Sequence, residues 1–92
     1  MPTTLELCKT SLRVVTTAYD SEILSYIFAA EKDLGIAGVE VDESDELVTT
    51  AIMTYVRMRF GNPPNYDKLK AAYDEQKAQL QNATGYTDWS AS

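Results

Sequence analysis

Glu40, Asp42, Glu43, Asp45 and Glu46 place five carboxylates within seven positions. That density of oxygen ligands suggests calcium. The spacing does not. An EF-hand loop counted from Asp42 puts Leu47 where a glycine must turn and Met53 where a bidentate glutamate must sit. A solvated loop followed by helix-starting acids accounts for the run, with weak, nonspecific cation binding as the alternative. The chain has no histidine, which removes the usual general base and the commonest transition-metal ligand. Ser-His-Asp and Cys-His catalysis go with it. Cys8 is the only cysteine, so no internal disulfide and no cysteine zinc cluster can form. Gly35, Gly38, Gly61 and Gly85 fit neither the phosphate loop nor the dinucleotide fingerprint. No carboxylate pair stands out for glycoside hydrolysis. Asn82-Ala83-Thr84 is a formal glycosylation sequon, a short pattern common by chance. The residues therefore point to no catalytic, cofactor or metal site, and the expectation is a protein that is not an enzyme.

Aromatic side chains remain. The chain closes on "NATGYTDWSAS", which holds Tyr86, Asp88 and the only tryptophan, Trp89. Rings beyond a last helix cost solubility. They can fold back over the subunit's own core, hang free, or anchor a partner, since aromatics are enriched at interface hot spots. Tyr86, Asp88 and Trp89 are the candidate partner-binding residues.

The elements that carry these residues read as four helices. Leu5, Cys8, Leu12 and Val15 recur at three, four and three, predicting a helix from about Thr4 to Val15 with Cys8 as a small buried hydrophobe. A second helix is predicted from about Ser21 to Leu34, capped by Asp20 and stopped by Gly35. Its apolar face is broad: Ile23, Leu24, Ile27, Phe28, Ala30 and Leu34. Ile36 to Glu43, "IAGVEVDE", has β-branched residues around Gly38 and reads as a short strand or an extended connector laid over the core. With no strand partner in its own chain, it is expected to pair between subunits through Val39 and Val41.

The third helix, about Ser44 to Phe60, is capped by Ser44 or Asp42 and apolar around most of its circumference. Such a helix belongs at the centre. "GNPPNY" then breaks the chain, with Gly61 and the two prolines forbidding continuation and Asn65 able to cap the next helix. The fourth helix, about Tyr66 to Ala83, carries a thin seam of Tyr66, Leu69, Tyr73, Gln76 and Leu80. The rest of it is polar. Gly85 ends it, leaving residues 86–92 as a tail.

The fold class that results is all-α: a small four-helix domain with a short extended connector between helices 2 and 3, one domain over residues 1–92. The chain is 45% hydrophobic and 24% charged, ordinary for a soluble globular protein. No apolar run reaches the ~18 residues of a membrane span, and the N-terminus lacks a signal-peptide pattern. A single cysteine fits a reducing cytoplasm. Fourteen acids against eight bases give a net charge of −6, without the basic face that grips phosphate. Specific nucleic-acid binding and an anionic membrane surface are therefore not expected.

The stretches "LELCKTSLRV", "YDSEILSYIFAAEKDLG", "ELVTTAIMTYVRMRFG" and above all "YDKLKAAYDEQKAQLQNATGYTDW" resemble tailed-bacteriophage head–tail connector proteins, also described as head-completion or DNA-packaging proteins. The resemblance spans Leu5 to Trp89. Many relatives carry several aspartates before the second helix, where this chain has only Asp20.

The resemblance implies an all-helical virion subunit, made in the host bacterial cytoplasm, that assembles into a homo-oligomeric ring of about twelve copies. The ring sits beneath the portal protein, extends the DNA channel and receives the next head-completion or tail-adaptor protein. It implies no catalytic residues and no cofactor. Heterologous contacts close such a ring, which makes Val39, Val41, Tyr66, Leu69, Tyr73 and Leu80 the candidate subunit interface. Acidic walls would let DNA pass without sticking. On the residues alone, a second reading stays open: a small acidic adaptor or regulatory protein that binds a single protein partner.

Overall fold

The structure is a computed structural model that describes residues 3–42, 45–61 and 63–82. It is all-α, with α1 at Thr4–Leu12, α2 at Asp20–Ile36, α3 at Glu46–Arg59 and α4 at Tyr66–Asn82. The third helix is central as its composition requires: α1, α2 and α4 all pack on it. Its buried residues include Val48, Ala51, Ile52 and Val56, each fully enclosed. They meet Ile23, Ile27, Ala30 and Leu34 from α2, Cys8 from α1, and Tyr73 and Leu80 from α4. The four-three-four spacing of the α2 set is one face of a helix. Cys8 is a buried packing residue.

The turns depart from expectation in instructive ways. α1 stops at Leu12 rather than at Val15, because Arg13 adopts the left-handed conformation at φ 60°. The Val14 amide then returns to the Lys9 carbonyl at 2.9 Å. Val15, expected on the apolar face, is 96% exposed. Asp20 does not cap α2. Tyr19 holds the cap position without a side-chain bond, and the Asp20 carboxylate instead receives the Lys9 ammonium at 2.8 Å, pinning α1 to α2. Neither Ser44 nor Asp42 is the cap of α3; the Asp45 carboxylate takes the Leu47 amide at 2.8 Å.

The most informative departure concerns "GIAGV". Gly35 does not end α2; the helix runs on through Ile36. Gly38 is the residue with positive φ, at 89°. The Val39 amide reaches back to the Leu34 carbonyl at 2.9 Å and the Gly38 amide to Gly35 at 3.0 Å. These two bonds form a Schellman motif, and its usual apolar contact is the buried pair Leu34 and Val39. The segment is thus a helix stop followed by a connector laid over the core, not a strand. Gly61, at φ 64°, ends α3 as expected, after an extended Phe60.

α2 runs antiparallel to α3. The Tyr19 ring at its start meets Phe60 at the end of α3, centroids 5.5 Å apart and edge to face. α4 returns along α3 and so runs parallel to α2. Asp33 faces Tyr73 and Lys77, and one turn on Ala37 faces Gln81.

Candidate interaction surface

The expected interface residues separate into two groups. Val39, Leu69, Tyr73 and Leu80 are buried inside the subunit, at 4%, 8%, 3% and 2% exposure, and Val41 packs half-buried against the same core. The α4 seam is covered by α3 of its own chain, so in this conformation it needs no neighbour to cover it. Tyr66 alone of the set stays open, 37% exposed. Tyr86, Asp88 and Trp89 lie outside the described residues.

The burial of α4 is completed by a polar clasp. The Tyr73 hydroxyl donates to Asp33 Oδ2 at 2.6 Å, and the Lys77 ammonium reaches the same oxygen at 3.2 Å. Partial burial by itself would push the Asp33 carboxyl up; the Tyr73 hydroxyl and the Lys77 ammonium outweigh it and hold it below the usual carboxylate value. Burial first, and the hydrogen bond to Asp33 second, push the Tyr73 hydroxyl far up. It remains a donor throughout the working pH range. The Gln81 side chain donates to the Ala37 carbonyl at 2.9 Å, tying the connector down beside the Schellman turn.

Large apolar residues also stand on the surface. Phe28, expected on the buried face of the second helix, is 62% exposed; Ile36 is 78% exposed and Leu47 56%. The pattern holds the signal for this. Phe28 falls off the Ile23, Ile27, Ala30 and Leu34 stripe, and Leu47 precedes Val48 rather than sharing its stripe with Ile52 and Val56.

At the other end of α3, a shallow groove of about 230 Å³ is lined by Met58, Arg59, Gly61, Pro63 and Tyr66. The Arg59 guanidinium lies over the Tyr55 ring at 5.2 Å, which places its charge in advance of any contact. Among the described residues no three His, Cys, Asp or Glu side chains gather to hold a metal ion. No helix there is long and apolar enough to cross a membrane. What the surface offers is apolar contact, arginine and aromatic rings, the composition of protein interfaces.

Comparison with known families bears on the same point. The family model described as phage connector protein matches residues 4–87. The chain belongs to the phage connector protein family. The match takes in all four helices and extends through Tyr86 to Thr87 in the closing stretch, stopping short of Asp88 and Trp89. No curated protein and no solved structure matched the chain. The large hydrophobic side chains that the described fold leaves exposed are Val15, Tyr19, Phe28, Ile36, Leu47 and Tyr66.

Proposed function

We propose that this protein is a structural component of the phage head–tail junction that assembles as a ring beneath the portal. The ring extends the DNA channel and links the packaged head to the next head-completion or tail protein. The observation that carries this reading is the connector-family match over residues 4–87. Two physical features support it. Large apolar side chains at Phe28, Ile36 and Leu47 stand on the outside of a subunit whose core is already closed, as a protein made for contact requires. A net charge of −6 keeps a channel wall from binding the DNA that moves past it.

Within this reading Tyr86, Asp88 and Trp89 contact the portal or the adjacent subunit. Trp89 supplies a large apolar face with one N–H donor, and Asp88 accepts from a basic group. The test mixes the purified protein with purified portal protein of the same phage and follows co-sedimentation. Wild type is expected to sediment with the portal. Trp89→Ala is expected to leave the subunit's melting temperature unchanged and to weaken association by about 2 kcal/mol, the scale of an interface hot spot. A subunit destabilised by Trp89→Ala would make the closing stretch a cover for its own core. A wild-type protein that never joins the portal would overturn the connector role itself.

A further inference from the structure

We infer that the groove lined by Met58, Arg59, Gly61, Pro63 and Tyr66 receives the Glu46–Leu47 turn of a second copy of this chain. The inference rests on the connector reading only in requiring copies to assemble, and it names the contact between them. The charge along α3 is unevenly distributed. From Asp33 to Val56 the sequence holds no lysine or arginine, while Glu40, Asp42, Asp45 and Glu46 crowd the beginning of the helix. Its far end carries Arg57 and Arg59, both exposed, with Lys68 on the first turn of α4 after the Gly61 break. Elsewhere Lys9 pairs with Asp20, Lys70 with Asp74 and Lys77 with Asp33. α3 is therefore bipolar, with an acidic start and a basic end about 20 Å apart along its 14 residues.

Shape and hydrophobicity follow the same division. The basic end has a concave site with apolar walls, Met58, Pro63 and the Tyr66 ring, around a fixed guanidinium. Gly61 lines the groove at φ 64°, a backbone that a larger residue adopts poorly. The acidic end has a convex counterpart. Leu47 is 56% exposed on the first turn of α3, directly after the exposed carboxylate of Glu46. An apolar knob beside a carboxylate matches an apolar groove beside an arginine. Leu47 would enter between Pro63 and Tyr66, and Glu46 would meet Arg59. The two surfaces are different patches of one molecule, so the contact is head-to-tail and each copy keeps one free end for the next.

Charge exchange tests this directly. Arg59→Glu and Glu46→Arg are both surface changes, and thermal melting confirms that each variant folds. Self-association is read by sedimentation equilibrium up to millimolar protein, and again in rings collected on purified portal. Each variant alone is expected to associate at least about tenfold more weakly than wild type, the cost of setting like charges against each other at an interface. An equimolar mixture of the two variants restores pairing between unlike copies, because native contacts then alternate with contacts in which the two charges have changed places. Leu47→Ser, which leaves every charge in place, is expected to weaken association as well. If either charge variant assembles like wild type, or the mixture stays as weak as its components, the inference fails while the connector reading stands. If wild type assembles neither alone nor on the portal, both fail together.

Discussion

α3 and α4 lie side by side and are similar in length, 14 and 17 residues, yet they are held by different physics. α3 buries Val48, Thr49, Ala51, Ile52, Thr54, Val56 and Met58, and three helices cover it. α4 buries only Leu69, Tyr73 and Leu80. Its remaining attachment is polar, through Asp33, Tyr73 and Lys77 and through Gln81 on the Ala37 carbonyl. A thin apolar seam is thus enough to dock a helix when a hydrogen-bonded clasp fixes its register. The helix need not borrow a neighbour's surface to be stable, and its outer face stays polar.

The comparison can be broken most severely at the centre. Ile52 is fully enclosed, and Ile52→Asp places an unpaired charge there. The expected loss is about 3 kcal/mol or more, a large share of the stability of a domain of this size. A variant that melts like the parent would show that α3 is not the core.

The next effect falls on α4. Leu80→Ala removes one of its three anchors and leaves a cavity, with an expected cost of about 2–3 kcal/mol. Native-state hydrogen exchange should show the loss concentrated in the last turns of α4, with the amides of Val48 to Val56 still protected to the global limit. Uniform loss across both helices would mean that α4 is as integral to the core as α3.

These two helices also show how far residue patterns can be read. The central position of α3 follows from its apolar circumference, and its first-turn acids and terminal arginines mark its ends within two residues. The four-helix, all-α architecture is legible for the same reason. The stop at Gly61 is legible as well, but the stops of α1 and α2 are not, because Schellman and αL stops depend on single residues. Arg13 takes a left-handed conformation that composition does not announce, and Gly38 rather than Gly35 is the stop because Val39 can return to Leu34. Periodicity reveals the α4 seam but not what covers it. The clasp joins residues 40 and 44 positions apart, a pairing that no pattern along one helix contains. The groove is invisible in the sequence on the same ground: it exists only where the end of α3, the Gly61 turn and Tyr66 converge.

Removing one hydroxyl sharpens the comparison further. Tyr73→Phe keeps the ring in the core and its edge contact with Tyr55 at 5.2 Å. It deletes only the donor to Asp33. A hydrogen bond to a charged acceptor at a partly exposed site is worth about 1.5 kcal/mol, and urea melts of the two proteins would measure it. An unchanged midpoint would make the clasp ornamental and leave the apolar anchors to hold α4 alone.

The smallest effect is the one whose pH dependence identifies it. Asp33 has a carboxyl pKa lowered in the folded protein, because Tyr73 and Lys77 favour the charged form more than partial burial disfavours it. A group lowered on folding contributes stability that is fully present above its unfolded value, roughly pH 4, and lost as pH falls through the lower folded value. Tyr73 has the opposite sign. Its hydroxyl is raised on folding, so its contribution is full below about pH 10 and lost only above that. Between these limits the clasp is constant. Asp33→Asn keeps the size and an acceptor oxygen but removes the titration. The stability difference between wild type and Asp33→Asn should therefore be flat from about pH 5 to pH 9 and shrink toward pH 3. The other carboxylates titrate in both proteins and cancel in the difference. A difference that stays constant down to pH 3 would show that Asp33 acts through shape and neutral hydrogen bonding, with its charge contributing nothing to holding α4 against α2.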